Sequence, residues 1–194
     1  MTSHPPPAED PISSLDRTCT AVGDLVAGVA RGQWPDPTPC TEWDVSQLVD
    51  HLIAGNRRFA ALLHDHPQAE PAGQEPADDQ TAAYGASAAA LRAAFSAPGA
   101  LERIYQSPIG PAPGIALVHL RITEQLLHGW DLAQATGQPP NLPEDLARQA
   151  LALSRAQLAD TPREGMPFDF PQPVPDNASA IDRLAAFFGR RIAR

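Results

Sequence analysis

Lysine does not occur in the 194-residue chain: all fourteen basic side chains are arginine, set against twenty-three acidic ones for a formal net charge of −9. No basic run accompanies that negative balance, which argues against a nucleic-acid groove and against an anionic membrane surface. Cysteine is almost as scarce: Cys19 and Cys40 are too few for a disulfide framework. Long hydrophobic runs are missing too, and nothing approaches the ~20 residues needed to cross a bilayer. Residues 1–7 have neither the basic nor the apolar part of a secretion signal. These absences leave a soluble cytoplasmic protein as the expectation. The missing lysine, together with 34 alanines, points to a compositionally biased, high-GC genome rather than to a functional adaptation.

Proline is the opposite case. Its 22 residues are about twice the usual ~5% share. Proline and glycine together still fall short of the roughly 25–30% that marks low-complexity disorder. The prolines leave six free windows: 12–34, 40–66, 77–97, 114–138, 144–161 and 176–194. A proline inside a helix costs roughly 3 kcal/mol, so these windows read as helices with sharply marked ends. The pattern predicts an all-α fold, a four-helix bundle with additional C-terminal helices. Residues 1–11 read as a flexible N-terminal tail and 12–160 as the bundle. Residues 161–194 read as a proline-rich crossing and a C-terminal helix packed on it.

Periodicity fills in the elements. The first helix begins near Ile12, with Leu15, Cys19, Val22, Val26 and Val29 at three- and four-residue spacing and Gly32 as its stop. An extended connector is expected over 33–39, where proline recurs at every second residue. Asp44 and Gln47 form a capping-box pattern, and Trp43 with Leu48 a hydrophobic staple, at the start of the second helix. The third helix is alanine-rich, and a strand-like stretch follows around Ile104. The fourth runs from about Gly114 to Thr136 with Gly137 as its cap. A fifth has Asn141 as cap and Pro143 in its first turn, and a sixth carries Ile181, Leu184, Phe187 and Phe188.

The fourth helix holds the chemistry. Glu124 and His128 stand four residues apart, ~40° in angle and ~6 Å along the axis, and so share a face. One metal ion can take both side chains. Catalytic zinc sites use three protein ligands and an open position, and His51, about two turns into the second helix, is the best third donor. Two histidines and a carboxylate suit zinc and also resemble the facial triad of non-haem iron sites. The bare spacing is equally that of an ordinary surface pair. Gly55 and Arg58 project on nearly the same side as His51. They read either as space above a metal with an arginine for an anionic group, or as close helix packing beside an exposed arginine. Asp131 reads as an orienting partner of His128 or as a last-turn surface acid. His119 projects away from the pair and reads as a core or interface residue. His64 and His66 read as solvated at a helix end, His4 lies in the tail, and Cys40 reads as packing rather than as a nucleophile.

The segment Pro37-Thr38-Pro39-Cys40-Thr41-Glu42-Trp43-Asp44-Val45, leading into Leu48-Val49-Asp50-His51-Leu52, is followed later by His119-Leu120-Arg121-Ile122-Thr123-Glu124-Gln125-Leu126-Leu127-His128-Gly129-Trp130-Asp131. Together these motifs resemble the metal-binding domain of mycothiol-dependent maleylpyruvate isomerases, within the DinB-like superfamily of helical bundles. The match is nearer to short, mostly uncharacterised actinobacterial relatives than to the isomerases with their sizeable C-terminal domain. The resemblance implies one divalent metal, zinc first with nickel or iron as alternatives, on His51, Glu124 and His128. It implies mycothiol as a co-substrate, a small-molecule substrate, and a monomer or homodimer. The function that follows is a thiol-dependent transferase or isomerase acting on a small electrophile, with Arg58 and Asp131 as further catalytic candidates. The alternatives are a metal-dependent hydrolase and a non-catalytic metal- or ligand-binding module.

Overall fold

The helices beginning at Pro11, Val45, Gln80 and Ala180 start where a side chain accepts from a free backbone N–H, and those beginning at Gly114 and Glu144 start on a proline without such a bond. A computed structural model describes residues 10–64, 79–107, 110–159, 161–164 and 166–192; His4 and His66 and most of the N-terminal tail lie outside them. Helix α1 (Pro11–Ala27) begins on Asp10, whose carboxylate accepts from the Ser13 N–H, with proline in the first turn. Helix α2 (Val45–Leu63) carries both halves of the Asp44–Gln47 capping box. Helix α3 (Gln80–Phe95) is capped by Asp79. A hairpin of β1 (Ile104–Ser107) and β2 (Gly110–Pro113) then pairs Tyr105 with Ala112. Helix α4 (Gly114–Thr136) stops at Gly137, whose φ of 68° is the left-handed conformation glycine tolerates. Helices α5 (Glu144–Gln157) and α6 (Ala180–Phe187) complete the chain.

The first four helices close a ring in which α1 packs on α3 and α4, and α2 packs on the same two. Leu15, Val22, Leu48, Leu52, Leu91 and Leu126 fill its centre and are fully buried. Helices α5 and α6 pack on each other and on α4. Their starts are tied together by the Ala180 N–H, which donates to Glu144 Oε2 at 2.6 Å. The fold is all-α apart from the one short hairpin among the described residues. No described helix is long and apolar enough to cross a membrane.

Three local expectations are corrected. Helix α1 ends at Ala27, before Gly32. There Gln138 Nε2 donates to the Leu25 carbonyl at 2.9 Å, and its side chain fills the space a Cβ on Gly28 would need. The 33–39 connector is turned rather than extended over its first part, with Asp36 N–H bonded to Gln33 O, and only Pro37 bridges to Asp44. Pro143 itself, not Asn141, occupies the cap position of α5, with no side-chain hydrogen bond.

Gly114 joins the hairpin to α4 under a tight constraint. A Cβ there would lie 1.9 Å from the Ala100 carbonyl oxygen, a backbone atom that cannot swing aside. Gly114→Ala is expected to destabilise the fold by about 1–3 kcal/mol, the usual range for overpacking. Urea unfolding measures it; unchanged stability would show that the loop around Ala100 yields freely.

Candidate metal centre

The turned connector sets up one wall of the site. Thr38 Oγ1 donates within bonding distance of two carbonyls, Cys40 O at 3.0 Å and Trp43 O at 2.8 Å, which fixes the loop just before α2. Trp43 then stacks on the His51 ring, centroids 4.2 Å apart, and meets His128 edge-on at 5.6 Å. The two histidine rings are themselves 5.1 Å apart in a T-shaped arrangement, His51 from α2 and His128 from α4. Burial, then the neighbouring His128, pushes the His51 pKa down to about 4. At neutral pH it is therefore an uncharged imidazole with a lone pair to offer.

Glu124 lies one turn before His128 on α4, its side chain 32% exposed. Arg121 Nη1 donates to its Oε2 at 2.5 Å, and no described residue donates to Oε1. Arg121 is itself buried, a guanidinium inside the bundle. Its Nη2 donates to Asn56 Oδ1 at 2.8 Å, which also accepts from Gln125 Nε2 at 2.7 Å. The network continues through Tyr84, whose hydroxyl donates to Gln125 Oε1 at 2.7 Å. This settles what Gly55 is for. A Cβ there would sit 2.7 Å from Arg121 Nη1, so the glycine makes room for a buried cation and not for an open cavity. Sequence reasoning passed over Arg121; its signal is an arginine among the core positions Val118, Ile122 and Gln125.

Asp131 accepts from His128 Nδ1 at 3.1 Å. Its other partner is Arg190, which donates through Nε to Oδ1 at 3.0 Å and through Nη2 to Oδ2 at 2.8 Å. Burial alone would raise the Asp131 pKa; the bonds from His128 and Arg190 overcome it and hold the carboxyl below its ordinary value. Cys40, His128 and Asp131 bring donor atoms within 4.8 Å of one another, but the two-pronged guanidinium already fills Asp131. A cation there would face Arg190, so this trio does not suit a metal. His128 Nε2 is the nitrogen that Asp131 leaves free, but the donor atoms of His51, Glu124 and His128 do not all lie within 4.8 Å of one another.

A family model for the mycothiol maleylpyruvate isomerase N-terminal domain matches residues 15–133. The chain belongs to that family. Its fold is accordingly the DinB-like helical bundle, and the family is metal-binding and mycothiol-related. Among relatives, the chain is 37% identical over 186 residues to uncharacterized protein MT0763 of Mycobacterium tuberculosis strain CDC 1551 / Oshkosh. It is equally similar to uncharacterized protein Rv0738 of strain H37Rv, and each alignment covers 94% of this chain and 99% of the relative. No solved structure matches the chain.

The remaining polar candidates of this mycothiol maleylpyruvate isomerase family member are distributed unevenly. Arg58 is exposed on α2, near enough for its charge to act on His51. His119 is half-buried, and burial lowers its pKa. His64 is the exposed C-cap of α2. Burial raises the thiol of Cys40 despite the nearby Arg190.

The His51 shift has a pH consequence. The unfolded chain takes up this proton near the ordinary value of 6.5, the folded protein only near about 4. Its contribution to stability is fully present above ~6.5 and is lost as pH falls through ~4. For metal-free protein, the stability of His51→Gln should decline less steeply than that of wild type over this window in urea unfolding. Parallel slopes would contradict the burial of a neutral imidazole.

Proposed function

We propose that the protein is a divalent-metal-dependent enzyme of thiol chemistry, a transferase or isomerase that joins a low-molecular-weight thiol to a small electrophile. The reading rests most on the two histidine rings at 5.1 Å, on separate helices, with Glu124 one turn away. His51, Glu124 and His128 are the proposed ligands, zinc the proposed metal, with nickel or iron suiting the same donors. Held there, such an ion supplies Lewis acidity that lowers the pKa of a thiol or water at its open position.

The chain's own residues fit that task. His51 is neutral without having to lose a proton, which metal binding otherwise requires. Asp131 accepts the Nδ1–H of His128 and so leaves Nε2 as the free lone pair. Arg121 occupies one carboxylate oxygen of Glu124 and leaves the other. Arg58, exposed beside His51, is the proposed contact for an anionic substrate group. The nucleophile comes from outside, and the family makes mycothiol the first choice. The thiol gives up its proton, its sulfur adds to one carbon of a polarised double bond, and a proton is taken up at the neighbouring carbon. Retention of the thiol gives a conjugate; its later release, with rotation in between, gives an isomer. Hydrolysis is less well supported, because Asp131, the obvious general base, has both oxygens engaged by Arg190.

Elemental analysis of protein purified without chelators is expected to find one metal per chain, lost in His51→Ala, Glu124→Ala and His128→Ala. Mycothiol with a panel of electrophiles is expected to show metal-dependent consumption of thiol or substrate. A wild type without stoichiometric metal removes the reading.

A further inference from the structure

Arg190 stands just past α6, at the far end of the chain from α2, yet it is buried against α4. The local backbone explains how it gets there. After the last turn of α6, Gly189 N–H donates to Ala186 O and Arg190 N–H to Ala185 O, both at 3.0 Å. This crossed pair is a Schellman motif, which needs a left-handed residue at its corner. Gly189 supplies it with φ 90°, and a Cβ there would also strike Asp169 at 2.5 Å. The motif turns the chain so that the next side chain points back into the bundle. Arg190 Nη1 donates to its own loop at Phe188 O, 3.1 Å, while Nε and Nη2 grip both oxygens of Asp131. Asp131, fully buried, in turn meets His128 Nδ1.

A carboxylate with only a histidine to hold is free to rotate about its last bond. One gripped on both oxygens by a planar fork is not. Its Oδ2 then presents a fixed acceptor, and the imidazole that donates to it is fixed in tautomer and in ring angle. Groups that orient a metal-ligating histidine in this way typically contribute 10–100-fold to metal affinity. We infer that Arg190 is a positioning residue for the metal centre, acting through Asp131 on His128, so that metal binding depends on the docked C-terminal segment. The inference rests on the metal reading above and adds a residue from outside the matched 15–133 region.

Zinc affinity, measured by competition with a chromophoric chelator, and the visible spectrum of the cobalt-loaded protein provide the test. Arg190→Gln is expected to weaken zinc binding about 10–100-fold and to change the cobalt spectrum. Arg190→Lys keeps a cation beside the buried carboxylate but loses the fork, and is expected to fall in the same direction should the glutamine variant fail to fold. Asp182→Ala is the control. It removes a separate polar tie of the C-terminal segment to α4, the 2.8 Å bond from Trp130 Nε1, without touching Asp131, and is expected to bind zinc as wild type does. Wild-type affinity and spectrum in folded Arg190 variants would overturn the inference, as would an equal loss in Asp182→Ala, which would trace the effect to general loosening. Binding lost in His51→Ala but kept in Arg190→Gln overturns this inference alone; a wild type that binds no metal removes the underlying reading with it.

Discussion

A charge taken out of water must be answered by another charge or by a full set of hydrogen bonds. Helix α4 takes out two of opposite sign: Arg121, buried near its middle, and Asp131, buried near its end. Neither can be satisfied from α4 alone. Arg121 needs Glu124, Asn56 from α2 and the missing side chain at Gly55. Asp131 needs Arg190 from beyond α6 as well as His128. The approach of α2 and the docking of the C-terminal segment are therefore both dictated by charges on one helix. Breaking either pair would strand an ion in the interior, which is far costlier than never having buried it.

Those same two charges flank the candidate centre. Arg121 sits on the carboxylate of Glu124, and Asp131 on the imidazole of His128. The polar groups that lock the bundle together are thus also the groups that orient two of the three proposed ligands. The third, His51, is held differently, by the flat contact with Trp43 and by burial. Side chains fixed in this way on rigid helices hold their geometry better than loops would.

Much of this was legible in the sequence, and for a physical reason. Helix boundaries written by proline, by the Asp44–Gln47 box and by Gly137 are local, and each depends on a few adjacent residues. The pairing of Glu124 with His128 is local too, since it follows from helical geometry alone. What escaped was contact between distant segments. The early end of α1 depends on Gln138, more than a hundred residues later. Gly55 reads from sequence either as space beside a metal or as close helix packing, and only Arg121, on another helix, decides for packing. Arg190 had no sequence signal at all beyond a glycine before it, because its meaning lies in a partner 59 residues away. Trp43 read as a staple for α2, and its flat contact with His51 emerged only from the three-dimensional path of the connector.

The state of the chain's own sulfur bears on where a thiol in the reaction must come from. Cys19 is buried, its pKa pushed up to about 11, and it sits at the α1–α3 side of the bundle. Cys40 is nearer to His128, but burial raises its pKa as well, even with a guanidinium beside it. A thiol in that state is a poor nucleophile at neutral pH, because the thiolate is the reacting species. Cys40 lies instead on the Asp131–Arg190 side of His128, where a metal is disfavoured by charge. The chain thus keeps its own cysteines protonated beside the histidines proposed as ligands. That combination is what a centre needs if the sulfur it activates is to arrive on a small molecule and leave again, rather than remain fixed to the chain.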